Sequence, residues 1–176
     1  MNPPRAAARS ILIALTACLA ALPARAAELV VAQVAPLSGV LAATGAQMVL
    51  GAKIYFEHVN ATSGIHGAKI RHVVKDDAYR IDETIRLTQE AIARDRAVAL
   101  IGFAGTANLT ELLKRNILQE AGIALVAPYT GGEPLRTPFN PSIFHIRAGY
   151  ADEAEHMIGQ LVTLGIKDIG VYYQND

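Results

Sequence analysis

A strand-loop-helix-strand unit between Glu28 and Asp77 constrains this chain most. Leu29-Val30-Val31-Ala32-Gln33-Val34-Ala35 is a short apolar run, and a glycine-punctuated loop, Pro36-Leu37-Ser38-Gly39-Val40-Leu41-Ala42-Ala43, follows at once. A helical pattern starts at Thr44, and a second strand, Lys69 to Lys75, ends in Asp76-Asp77. Repetition of such units with short connections predicts an α/β chain with a parallel sheet flanked by helices on both faces.

The repetition continues to the end of the chain. In the first helix Thr44 and Gln47 have capping-box spacing. Val49, Ala52, Phe56 and Val59 recur at helical intervals and predict a buried stripe. Asn60–Gly67 is a glycine-rich turn. Asp82 opens a second helix with Ile81, Ile85, Thr88 and Ile92 on one face. Ala97–Ile101 predicts a third strand and Thr106–Ala121 a third helix. Ile123–Ala127 predicts the fourth strand. Thr130–Pro141 is a long loop with three prolines, which do not sit inside strands. Ile143–Arg147 reads as a strand, Asp152–Leu164 as a helix and Asp168–Tyr173 as a final strand. A chain that stops just after a strand reads as cut short.

Residues 1–26 read as a cleavable export signal and stand apart from the fold. Arg5 and Arg9 form a positive start, Ser10–Leu22 an apolar segment too short to span a bilayer, and Ala24-Arg25-Ala26 a cleavage site. Export argues for the periplasm and against enzymes that use nicotinamide or ATP. Leu15-Thr16-Ala17-Cys18 also fits a lipobox, so a lipoprotein anchored through Cys18 is the minor alternative. Cys18 is the only cysteine, which leaves the mature body without a disulfide. Removal of Arg5, Arg9 and Arg25 leaves thirteen basic and sixteen acidic residues, a net charge of −3. The basic residues are scattered, so nucleic acid is excluded as a partner. No second apolar run reads as long enough to cross a membrane.

The order and spacing of several motifs resemble the type I periplasmic binding proteins, in the branch that binds branched-chain amino acids for ABC importers. The motifs are Ala35-Pro36-Leu37-Ser38-Gly39, Ala42 with Gly45, Gly51-Ala52, and Asn60-Ala61 with Gly64-Ile65 and Gly67. They continue as Asp76-Asp77-Ala78, Ile101-Gly102, Ala121-Gly122-Ile123 and Ala127-Pro128. The resemblance implies the type I fold, two α/β lobes that close on a ligand. Residues 27–147 correspond to a nearly complete first lobe and 148–176 to the start of a truncated second. It also implies a solute-binding protein, not an enzyme, without cofactor or metal. The ligand would be an amino acid or a related small carboxylate, and the partner an ABC permease in the inner membrane.

The resemblance assigns ligand contacts as well. Gly105 and Thr106 lie where the family contacts the ligand's carboxylate, and free amides at a helix start suit an anion. The first ligand loop is thus Ala104-Gly105-Thr106 and the second Tyr129-Thr130-Gly131; Ser38 is a loop-former at the carboxyl end of the first strand, where open α/β sheets bind ligands. Tyr150 and Asp152 lie just past the lobe crossing, where Asp152 could pair with an ammonium group. The sequence also departs from the family. Tyr79 stands where a cysteine of a small disulfide would be, and Thr44 replaces the aromatic residue that leucine-type binders place before Gly45. The loop Tyr129–Arg136 is unlike that of true leucine binders.

Each assignment has a plainer structural counterpart. Thr106 and Thr130 can be cap and turn hydroxyls. Asp76 and Asp77 read as strand-end carboxylates, because the first loop lacks G-x-G-x-x-G. Asp152, Glu153, Glu155 and His156 could suggest a metal, but acids in a first helical turn ordinarily serve the helix dipole. Tyr172-Tyr173 reads as flanking the core. A sensory module of the same fold is the alternative to a transporter component. An exported α/β enzyme is less favoured, because no nucleophile elbow, H-E-x-x-H pair or paired-cysteine site occurs.

Overall fold

A computed structural model describes residues 27–173. The signal segment, its cleavage site and Cys18 lie outside the described residues. The chain forms β1 (Glu28–Ala35), α1 (Ala42–Ala61), β2 (Lys69–Asp76), α2 (Ile81–Ala93), β3 (Ala99–Ile101), α3 (Thr106–Lys114), α4 (Ile117–Ala121), β4 (Ala124–Val126), β5 (Ile143–Phe144) and α5 (Tyr150–Thr163). The five strands make one sheet in the order β2-β1-β3-β4-β5. All pairings are parallel, with Leu29 opposite Ile70, Ala32 opposite both Val73 and Leu100, and Leu100 opposite Leu125.

Successive side chains on a strand face opposite sides of the sheet. Ala32 and Val34 of β1 therefore join Ile85 and Ala91 of α2, Leu109 and Leu112 of α3, and Leu118 of α4 in one buried cluster. Gln33, between them, faces the other side. Its Oε1 lies 3.0 Å from Nε2 of His72, and its Nε2 donates to the Gly102 carbonyl at 3.3 Å. The His72 ring meets Phe56 of α1 edge-on at 5.1 Å between centroids, and burial lowers its pKa. Helices thus cover both faces, as the alternating pattern predicts.

Several local expectations are corrected. The first helix begins at Ala42, fed by a 3-10 turn over Gly39–Leu41, so Thr44 is already inside it and caps nothing. The stripe of Val49, Ala52, Phe56 and Val59 is half-buried rather than buried; Gly45 is the buried residue of α1. A Cβ at Gly45 would stand 1.9 Å from the Pro36 carbonyl oxygen, so glycine sets how closely α1 crosses the first loop. Leu50, Ile54 and Tyr55 on α1 are exposed. With its lead-in turn, Gly39–Ala61 is long and apolar enough to cross a membrane by length and composition, contrary to the expectation that no second apolar run is. The helix instead docks on the sheet: Asn60 donates to the Ile70 carbonyl and accepts from the Ile70 amide.

The third helix is two helices, broken at Asn116, whose φ of 53° is left-handed. Asparagine tolerates that conformation better than most residues, and no glycine marks the break. Ile81 is exposed, while Ile85 and Thr88 are buried. The fifth strand keeps only Ile143–Phe144. The final strand expected over 168–173 is not formed, because a strand exists only through pairing and the described residues offer this segment no partner.

Candidate ligand-binding site

In this topology β2 lies on one side of β1 and β3 on the other, so the chain reverses its direction of winding beside β1. Open parallel sheets bind ligands at such a switch, outside the carboxyl ends of the strands. A cleft of about 640 Å³ opens there. Leu41 follows β1, Tyr79 follows β2, Ala104 to Thr106 follow β3, and Tyr129 follows β4. Tyr150 opens α5 after β5, and Tyr172 and Tyr173 of the last described segment complete the wall.

Two loops build the polar end. The Tyr129 amide donates to the Phe103 carbonyl at 2.7 Å, extending the β3–β4 pairing to Ala104 and Tyr129. This clamp brings Thr106 and Thr130 together, with their hydroxyl oxygens 2.6 Å apart. Thr130 is buried, and its oxygen accepts the Gly132 amide at 3.0 Å. When Thr130 donates to Thr106, the Thr106 proton is free for a cleft ligand. Thr106 is the first residue of α3, where the opening amides have no carbonyl one turn earlier. Hydroxyl, amides and helix dipole together present a partial positive charge.

Glycines let these parts approach. Gly105 has a φ of 97°, and a Cβ there would meet Asn108 Oδ1 at 2.6 Å and the Tyr79 ring at 2.8 Å. A Cβ on Gly132 would meet the Thr106 methyl at 2.4 Å, and one on Gly131 the Tyr150 ring at 2.5 Å. Behind α3, Asn108 Nδ2 donates to Thr84 Oγ1 at 2.8 Å, and Thr84 donates to Asp77 Oδ2 at 2.6 Å. All three side chains are buried, so the start of α3 is tied to the end of β2 through α2.

The Asp76-Asp77 step shapes the next wall. Asp76 Oδ1 accepts the amides of Leu37, Ser38 and Ala78 at 2.8, 3.2 and 2.9 Å. Desolvation pulls its pKa up, but these bonds and the Ser38 hydroxyl outweigh it and leave the pKa below the ordinary value. Burial pushes the Asp77 pKa up, despite bonds from Thr84 and the Tyr79 amide. Ala78 and Tyr79 both have positive φ, 49° and 62°, which neither residue type favours. The two carboxylates hold that turn and direct Tyr79 to the cleft.

At the far side Arg147 lies over the rings of Tyr129 and Tyr150, 5.8 and 5.3 Å from their centroids. It pairs with Glu153, which raises its pKa. Arg136 Nη2 donates to the carbonyls of Arg147 and Ala148, both at 3.0 Å, and the Tyr150 amide donates to Gly131 at 2.8 Å. The chain's passage out of the sheet is therefore fixed next to the cleft.

Of the residues singled out in the sequence, Gly105, Thr106, Tyr129 and Tyr150 line the cleft, with Thr130 directly behind Thr106. Ser38 is turned to Asp76 and does not line it. Asp152 accepts the Gly149 amide at 3.1 Å as a cap of α5 and does not line the cleft either. Ala104, part of the expected ligand loop, lines the cleft too, while Leu41, Tyr79, Tyr172 and Tyr173 were missed. For Tyr79 the available signal was its place two residues past Asp76-Asp77 at a strand end. Among the described residues, no group of three or more His, Cys, Asp or Glu side chains is placed to hold a metal ion.

Residues 28–176 match the family model described as periplasmic binding protein. Over 142 residues the chain is 26% identical to Leu/Ile/Val-binding protein homolog 3 of Brucella melitensis, covering 81% of this chain and 38% of that protein. A substrate-binding periplasmic protein from Ralstonia solanacearum superposes with a TM-score of 0.74 at 40% identity, over 78% of this chain and 38% of that one. A solute-binding protein of an ABC transporter from Rhodopseudomonas palustris, in complex with 3,4-dihydroxybenzoic acid, superposes with a TM-score of 0.69 at 26% identity. That match covers 80% of this chain and 37% of the other. The chain spans less than half the length of each of these proteins.

Proposed function

This chain belongs to the periplasmic binding protein family, and on that premise we propose that it captures a small carboxylate ligand for an ABC importer. The observation that carries the reading is the Thr106–Thr130 hydroxyl pair, 2.6 Å apart at the amino end of α3 and at the edge of the cleft. Donors and a helix dipole converge there without a fixed positive side chain, which suits one carboxylate. Residues 27–147 form the first lobe, and 148–176 open the second, which closes over the ligand. Residues 1–26 direct export to the periplasm and are removed. The inner-membrane permease receives the ligand when the lobes part.

Relatives support both an amino acid and another organic acid as ligand, since one is named for Leu/Ile/Val and one holds 3,4-dihydroxybenzoic acid. Titration of the complete protein with an acid and with its neutral amide tests the reading. A hydrogen bond to a charged group contributes about 1.5–3 kcal/mol. The acid should therefore bind roughly 10- to 150-fold more tightly than its amide. Equal binding of the two would remove the carboxylate from the account.

A further inference from the structure

Resting on the carboxylate reading of the cleft, we propose that the ligand is an aryl carboxylate, with its carboxylate on Thr106 and its ring against Tyr79, Tyr129 and Tyr150. Three observations lead there. First, the cleft wall among the described residues is uncharged. Asp152, the acid the sequence offers to an ammonium group, caps α5 through the Gly149 amide and does not line the cleft. Asp76 accepts two amides of the loop after β1 and one of its own turn, and does not line the cleft. A zwitterionic ligand would leave its ammonium group without a counter-charge on this wall, and an unpaired buried charge is strongly disfavoured.

Second, the wall is aromatic. Tyr79, Tyr129 and Tyr150 line the same cleft as Thr106. Rings recognise rings by offset or edge-on contact, with phenol oxygens at hand for ring hydroxyls. The Arg147 guanidinium holds Tyr129 and Tyr150 in place from one side and is itself held by Glu153.

Third, Tyr79 is placed at a conformational cost. It and Ala78 adopt left-handed backbone; the Ala78 amide donates to Asp76 Oδ1 at 2.9 Å and the Tyr79 amide to Asp77 Oδ1 at 3.0 Å. Strain of this kind persists where the surroundings over-determine it, and it gathers at ligand clamps. Its ring comes so close to Gly105 that no Cβ fits between them. The ring therefore lies next to the residue that starts the carboxylate site. An aryl ring attached directly to a carboxylate matches that short spacing.

The experiment is calorimetric titration of the complete protein with benzoate, cyclohexanecarboxylate and leucine, repeated on the Tyr79→Leu, Tyr79→Phe and Thr106→Ala variants. Benzoate should bind about tenfold more tightly than cyclohexanecarboxylate, which keeps the carboxylate and the size but has no aromatic face. Leucine should be weaker still. Tyr79→Leu should reduce benzoate affinity several-fold and cyclohexanecarboxylate affinity by much less, so that the preference for benzoate shrinks, while Tyr79→Phe retains that preference. If leucine or cyclohexanecarboxylate binds as tightly as benzoate and Thr106→Ala weakens all, the carboxylate site stands and the aryl inference is overturned. If none of the three acids binds, the carboxylate reading fails and the inference with it. Should Tyr79→Leu fail to fold, the wild-type ranking of the three ligands decides alone.

Discussion

Thr84 carries more of the site than its sequence position suggests. It passes the charge of Asp77 to Asn108, and so fixes the first turn of α3 from behind. Nothing in the sequence marks this relay, because its three members lie on three different elements. Thr84→Val keeps the shape but removes both bonds, leaving Asp77 and Asn108 buried without their partner. An unsatisfied buried polar group costs about 1–3 kcal/mol, so the urea midpoint of the complete protein should fall accordingly. Thr84→Ser should restore most of it. An unchanged midpoint in Thr84→Val would mean that the relay contributes nothing. By contrast, Gly105 and Thr106 were legible as a strand-end turn followed by a hydroxyl. Tyr79 was harder to read: its place just past Asp76-Asp77 hinted at the site, but left-handed backbone on a tyrosine cannot be seen in the sequence. Ser38 and Asp152 looked equally placed for ligand, yet Ser38 donates its amide to the Asp76 carboxylate and Asp152 accepts the nearby Gly149 amide.

At the scale of elements, period and punctuation located every strand that pairs and every long helix. They failed where geometry depends on partners. The capping box at Thr44 is a true pattern, but the 3-10 turn before it had already started the helix. The spacing of Val49, Ala52, Phe56 and Val59 does identify the side of α1 that meets the sheet. Depth of burial could not be read, because α1 rests on the sheet without a second layer over it among the described residues. Opposite that side, Ile54 is 59% exposed, while Leu112 of α3 is fully buried in the main cluster. Leu112→Ala should destabilise the protein by about 2–5 kcal/mol through lost burial and a cavity. Ile54→Ala should stay within about 0.5 kcal/mol of wild type. Urea unfolding of both variants checks this. A comparable loss at Ile54 would mean that its face of α1 is covered in the complete protein.

For the whole molecule, the parallel order β2-β1-β3-β4-β5 does one thing that matters for function: it brings the loops after all five strands to one edge. The α/β class and this edge followed from the alternation of runs. The pairing of Thr106 with Thr130 did not, since it depends on the Phe103–Tyr129 bond that joins two loops. The titration of the complete protein and of its Thr106→Ala and Thr106→Ser variants, with the tightest-binding acid, tests the account most directly. Loss of a hydroxyl bond to a charged group should weaken binding by about one to two powers of ten in Thr106→Ala. Thr106→Ser should lose much less, because the hydroxyl survives, and both variants should keep the wild-type circular dichroism. Equal affinity in all three folded proteins would contradict the account, placing the carboxylate elsewhere and leaving Thr106 as the start of a helix and nothing more.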